Sequence, residues 1–307
     1  MILITEFMDE LAVRKLKERY EVTYDPSLVK NQSAILKLIG DVRAIIVRNR
    51  TLVTKELIQN ASSLTCVGRL GVGLDNIDLA ACQKQNISVY PATGANSNSV
   101  AEYVICTAMI LLRGSFLDNK KMLSGLWPRE ESSGLELKGK IMGLIGFGEI
   151  AQCTKVIAKS LGMKIVAFDP YLDPANLAWK DTQNLSLEKL LGVSDVISLH
   201  LPLTNETNNL IDQKKLHLIK PSAVLINAAR GGIIDESALA KVLKENKIRG
   251  AALDVFNEEP LSQGKAKKFS QLNNVILTPH IGGITQESNE RVSHMIADKV
   301  KKHLDGN

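Results

Sequence analysis

The residues with the most pointed chemistry begin with a glycine cluster. Residues 141–151 place Gly146, Gly148 and Ala151 in a G-x-G-x-x-A pattern between an apolar run and a helical stretch. The first glycine permits a tight turn, the second lets the backbone approach a pyrophosphate, and the small third residue lets helix pack on strand. Bare amides at the helix start would then meet phosphate oxygens. The next apolar run ends at Asp169, 23 residues beyond Gly146. A carboxylate there accepts from ribose hydroxyls and repels a 2′-phosphate, so the pattern predicts a dinucleotide site that takes NAD rather than NADP.

Three later segments carry polar residues just past apolar runs. They contain Arg230 with Ala228, Asp254 with Glu259, and His280 with Gly283. In open α/β sheets ligands bind beyond the carboxyl ends of strands. A cation for a carboxylate and a base for a hydroxyl proton are what hydride transfer at a hydroxy acid requires, and Arg, Glu and His supply them. Each also has a plain reading: Arg230 as a strand cap, His280 as a turn residue, Glu259 as a solvated loop acid. The run 44–47 ends in Arg48 and Arg50, two guanidiniums suited to a second anionic group. Arg129 is a further cation of the same kind, possible for a neighbouring subunit.

These side chains need an α/β framework to position them. Strands are expected at 2–4, 44–47, 65–68, 141–145, 164–168, 196–199, 223–227, 251–254 and 275–277, and helices at 9–19, 152–161 and 236–245. Continuous apolar runs of this kind belong to parallel strands covered on both faces. The alternation predicts two doubly wound parallel-sheet domains, one flavodoxin-like and one Rossmann, around an interdomain cleft. Turn-forming residues near 91–97 suggest a boundary. The expected division is a substrate domain at 1–97 plus 284–307 and a dinucleotide domain at 98–283, the last helix (about 286–304) returning to the first domain. The helix 100–112 is apolar on nearly every face, which predicts burial between domains or between subunits.

Composition narrows the remaining classes. Apolar residues make up 45% and charged residues 23% of 307, an ordinary globular balance. A net charge of +5 without a basic stripe, and 4% aromatics, argue against nucleic acid. Cys66, Cys82, Cys106 and Cys153 form no C-x-x-C pair and read as buried reduced thiols, with no metal site. No secretory leader or membrane-length apolar run is present, so a cytoplasmic protein without membrane partners is expected.

Taken together with residues 68–78 and 99–102, these segments resemble the D-isomer-specific 2-hydroxyacid dehydrogenase family along nearly the whole chain. By that resemblance Arg230 binds the substrate carboxylate and polarises the C2 oxygen. His280 exchanges the hydroxyl proton and Glu259 orients the imidazole. Asp254 would hold the nicotinamide carboxamide, and the amides of Val72 and Gly73 would grip the substrate carboxylate. Glu149, Ile150, Ala228 and Gly283 would lie on the cofactor side. The family implies NAD, a small anionic 2-hydroxy or 2-keto acid, and a homodimer.

Glu149 departs from many relatives and is expected to point away from the phosphates. The segment around Arg48 resembles phosphoglycerate dehydrogenases and the sulfolactate dehydrogenase branch, which implies a three-carbon acid with an anionic tail. A regulatory domain is not expected in 307 residues. Glyoxylate or hydroxypyruvate reduction is the alternative within the chemistry. An NAD(H)-sensing corepressor-like protein is the alternative from another class.

Overall fold

The computed structural model describes residues 1–114 and 118–306, which fall into two compact α/β units. One comprises Met1–Asn96 with Ile284–Asn307, the other Ser97–Gly283. No helix among the described residues is long and apolar enough to cross a membrane.

The first unit is built on five parallel strands: β1 (Ile2–Ile4), β2 (Val22–Tyr24), β3 (Ala44–Val47), β4 (Cys66–Arg69) and β5 (Ser88–Pro91), in spatial order 2-1-3-4-5. β1 and β3 are buried at every position, which explains their uninterrupted apolar sequences. β2 and β5 lie at the two edges and are only half-buried. Their mixed composition offers no apolar run from which to predict them.

The last helix, Gln286–Leu304, packs on β4 in this unit. Gly68 makes the approach possible: a Cβ there would stand 2.7 Å from Ile296 Cγ2 and 2.9 Å from Val300 Cγ2.

The second unit holds seven parallel strands: β6 (Ile141–Ile145), β7 (Lys164–Phe168), β8 (Gln183–Asn184), β9 (Val196–Leu199), β10 (Val224–Asn227), β11 (Gly250–Leu253) and β12 (Val275–Leu277). Their order is β12-β11-β10-β9-β6-β7-β8, so the chain reverses direction across the sheet between β6 and β9. In the first sheet the reversal falls between β1 and β3. Such switch points leave a crevice at the strands' carboxyl ends.

The helix Ser97–Arg113 buries Val104, Ala108, Leu111 and Leu112 against the second sheet and leaves Met109 and Cys106 exposed on its outer side in this chain. One expectation needs correction. The buried-thiol reading holds for Cys66 and Cys82 alone, because Cys153 is half-buried and Cys106 lies on that outer face. Burial pushes the Cys66 and Cys82 thiols up to about 12 and about 11, where they stay protonated and inert.

Candidate active site

β6 delivers the glycine turn at the second switch point. Gly146 has φ +84°, and a Cβ on it would lie 2.4 Å from the His200 carbonyl oxygen at the end of β9, so both conformation and space demand glycine. Gly148 caps the helix Glu149–Ser160 in extended conformation with no side-chain bond to the helix amides. No atom stands within 4 Å of where its Cβ would be, which leaves room for close approach by a ligand. Ala151 is fully buried beneath the helix, and Glu149 is exposed. The half-buried Ile150 follows in the first turn.

Asp169 lies one residue past β7. Its Oδ2 accepts from the Phe147 amide at 2.8 Å, and its Oδ1 accepts from the Tyr171 and Leu172 amides at 2.9 and 3.0 Å. The carboxylate therefore ties the glycine turn to the β7 turn, and Oδ2 keeps a lone pair for a further donor. Phe147 stacks on Trp179 at 4.9 Å beneath the loop. These residues fit a dinucleotide.

On the same sheet, the segments after β10, β11 and β12 bring Glu259 and His280 together. Glu259 Oε2 lies 2.6 Å from His280 Nδ1, and Oε1 accepts from the Phe256 amide at 3.0 Å. Burial alone would raise the Glu259 carboxyl. The hydrogen bonds from His280 and Phe256, with the charges of His280 and Arg230, outweigh burial and hold it below the usual carboxylate range. Arg230 Nη1 donates to the Ala229 carbonyl at 2.6 Å, and Asn227 Nδ2 donates to the Arg230 carbonyl at 2.9 Å. Half-buried Ala228 sits between these elements.

The loops carrying these groups are fastened to one another. The buried Glu236 accepts from the Asn257 amide and from Lys268 Nζ, at 2.6 and 2.7 Å. Asn257 Oδ1 in turn accepts from the Gly232 amide at 2.6 Å. Gly231 allows this contact, since a Cβ there would stand 1.9 Å from the Phe256 carbonyl oxygen.

Asp254 is 1% exposed and serves the His280 turn directly. It accepts from Thr278 Oγ1 and the Ile281 amide through Oδ1, at 2.6 and 2.8 Å, and from the Gly282 amide through Oδ2 at 2.7 Å. Tyr103, on the helix Ser97–Arg113, extends the chain with a 2.6 Å bond to Thr278 Oγ1. This bracing holds His280 at φ +56°, a conformation uncommon outside glycine. Gly283 ends the turn, half-buried. Sequence reasoning assigned Asp254 to the cofactor and missed both Tyr103 and this second duty. A phenol at the head of the long, mostly apolar run 103–112 was the available signal.

Arg48, Val72 and Gly73 belong to the first unit, at the ends of β3 and β4. Arg48 is half-buried, and its Nη2 donates to Asn289 Oδ1 at 2.8 Å. Burial pulls its guanidinium below the usual value, partly offset by the charge of Glu6. Arg50 is exposed. Among the described residues, neither the Val72 nor the Gly73 amide donates a hydrogen bond within the chain. Glu6, just past β1, was given no role from sequence, although the strand-end rule applied to β3 covers β1 equally.

Comparisons with known proteins agree with this arrangement. Residues 105–282 match the NAD binding domain of D-isomer specific 2-hydroxyacid dehydrogenases. The chain is 46% identical over 304 residues to the (S)-sulfolactate dehydrogenase of Chromohalobacter salexigens, covering 99% of this chain and 98% of that one. It is 39% identical to the D-3-phosphoglycerate dehydrogenase of Methanocaldococcus jannaschii, covering 99% of this chain but 57% of that longer protein. The crystal structure of the TT0316 protein from Thermus thermophilus superimposes with a TM-score of 0.91 at 30% identity, covering 100% of this chain and 97% of that one. The chain belongs to the D-isomer specific 2-hydroxyacid dehydrogenase family.

Proposed function

We propose that this dehydrogenase uses NAD and acts on a three-carbon 2-hydroxy acid bearing a second anionic group, of the 3-sulfolactate or 3-phosphoglycerate type. The second unit is read as the dinucleotide domain and the first as the substrate domain. Gly146, Gly148, Glu149 and Ile150 would present backbone to the pyrophosphate, and Asp169 would take the ribose hydroxyls. Ala228, Asp254 and Gly283 would border the nicotinamide, which supplies the hydride acceptor or donor when bound.

The chain's own residues account for the proton and the charge. Nδ1 of His280 is committed to Glu259, which leaves Nε2 to take the hydroxyl proton during oxidation and return it during reduction. The imidazolium formed in oxidation is paired at once with the Glu259 carboxylate. Arg230 would bind the C1 carboxylate and polarise the C2 oxygen. By the family resemblance, the Val72 and Gly73 amides of the first unit would be donors for a substrate carboxylate.

One observation carries the substrate reading. Arg48 is a half-buried cation at the β1/β3 switch point whose guanidinium donates to a neutral amide, with the charge of Glu6 nearby. Its remaining guanidinium donors suit the oxygens of a tetrahedral anion. The test follows NADH absorbance with sulfolactate, phosphoglycerate, lactate, glyoxylate and hydroxypyruvate, each with its partner in the redox pair. A tail-bearing acid turned over best, with Arg48→Ala impairing it far more than glyoxylate, is the expected result. Equal losses on both, or turnover confined to glyoxylate and hydroxypyruvate, would remove the tail. Tight NADH binding without turnover would favour a sensor.

A homodimer is proposed on similar grounds. Met109, Leu123, Leu126 and Trp127 expose large apolar side chains along the segment 109–127, more than an isolated surface tolerates well. Sedimentation should give twice the chain mass, and Trp127→Glu should lower it.

A further inference from the structure

His280 stands where the second sheet supports it least. β12 is an edge strand that pairs with β11 on one side, and the turn after it carries the imidazole at positive φ. The Asp254 carboxylate holds that turn through the Ile281 and Gly282 amides, and Thr278 Oγ1 donates to the same carboxylate at 2.6 Å. A hydroxyl has one hydrogen to give, and a carboxylate only accepts. The Thr278 hydrogen is therefore committed to Asp254, which fixes the direction of the 2.6 Å bond between Tyr103 and Thr278: the phenol donates.

The far end of this chain is firm. Tyr103 lies in the helix Ser97–Arg113, whose Val104, Ala108, Leu111 and Leu112 are buried in the core of the second unit. Arg249 fastens the end of that helix, donating to the Leu111 and Leu112 carbonyls at 3.2 and 2.9 Å. Burial pushes the Tyr103 phenol up to about 12, so its hydrogen stays in place at neutral pH. The ring also lies against the turn: a Cβ on Gly282 would stand 3.5 Å from Tyr103 Cδ1. Phenylalanine would keep that packing and lose only the hydroxyl.

Hydrogen bonds that point one way polarise one another, so the first donor strengthens the last bond. Resting on the reading of His280 as the proton carrier, we propose that Tyr103 is a positioning residue for that step. Its hydroxyl, acting through Thr278 and Asp254, fixes the turn that aims the imidazole Nε2. Glu259 holds the ring from Nδ1, and Tyr103 holds the backbone beneath it. A misaimed base slows the chemical step while leaving the hold on the substrate carboxylate intact.

The test measures the single-turnover rate of NADH oxidation by the best keto acid, in stopped flow, for Tyr103→Phe, Thr278→Val and the double variant. Tyr103→Phe should slow that rate about fivefold, the order that one ordinary hydrogen bond is worth, with KM for the acid and the unfolding midpoint close to the parent's. In Thr278→Val the chain is already cut, so adding Tyr103→Phe should cost nothing further. Amide exchange, read by mass spectrometry without cofactor or acid, should quicken about fivefold in the peptide 278–284 of Tyr103→Phe and stay unchanged in β9 and β10.

A parental rate in Tyr103→Phe overturns the proposal, as does unchanged exchange in that peptide or losses that add in the double variant. His280→Gln separates the two levels. If it abolishes turnover while Tyr103→Phe matches the parent, only the positioning argument fails. If it retains turnover, the reading of His280 itself fails and the proposal falls with it.

Discussion

His200 offers a quantitative test of the second switch point. It follows β9, donates its amide to the Ile145 carbonyl at 2.7 Å, and its own carbonyl limits the space at Gly146. The residue is half-buried, but its ring Nε2 is fully enclosed and has no hydrogen-bond partner. Burial pulls the imidazole down from 6.5 to about 4. The unfolded chain therefore binds a proton between these values that the folded chain refuses, so stability is complete above the unfolded value and falls as pH drops toward the folded one. Between about pH 7 and about pH 4.5 this single group should remove about 2 kcal/mol.

The perturbation is His200→Gln, which keeps a neutral polar side chain that does not titrate. Guanidinium unfolding would be followed by tryptophan emission. Both tryptophans, Trp127 and Trp179, lie in the Ser97–Gly283 unit, so the signal reports that unit alone. The stability difference between the two pH values should shrink by about 2 kcal/mol in the variant relative to the parent. Any general cost of the substitution cancels, since each protein is compared with itself. Equal acid sensitivity in both proteins would refute the argument, and with it the reading of His200 as a buried neutral imidazole.

Three further outcomes follow from the geometry. Glu259→Gln leaves the imidazole without its carboxylate and should lower kcat by about 100-fold while NADH affinity, measured by fluorescence, stays near the parent value. Asp169→Ser removes the acid expected to face the ribose and should narrow the preference for NAD over NADP, read as the ratio of kcat/KM for the two cofactors; it should also cost stability, because three backbone amides lose their acceptor. Gly68→Ala forces a methyl against Ile296 and Val300 and should destabilise the first unit by about 1–3 kcal/mol, seen as an earlier transition in circular dichroism that leaves tryptophan emission unchanged.

What the sequence disclosed follows from burial. Strands covered on both faces, such as β1, β3, β6 and β9, are apolar at each position or nearly so and declare themselves. Three of the four edge strands, β2, β5 and β8, are half-buried or exposed and mixed in composition, so no periodicity marks them, whereas the fourth, β12, is apolar and legible. The glycine turn was legible because the left-handed conformation at Gly146 and the His200 carbonyl beside it exclude other side chains. Cys106 misled because the apolarity around it records that a face is kept from water somewhere, without saying by what.

The site divides along the same line. Residues proposed to face a ligand sit at strand ends, and a strand end can be located from the apolar run before it. That rule reaches Arg48, Arg230, Asp254 and His280 from sequence alone. It does not reach the partners that hold them. Asn289 meets Arg48 across 241 positions, and Tyr103 meets Thr278 across 175. Glu6 shows the consequence most plainly. As a sequence feature it is one acid after a short strand; in the fold its carboxylate is buried under the loop that presents a cation and holds that loop by three backbone amides. Recognition chemistry can thus be read one residue at a time, whereas the layer that holds those residues in place has members that only folding brings together.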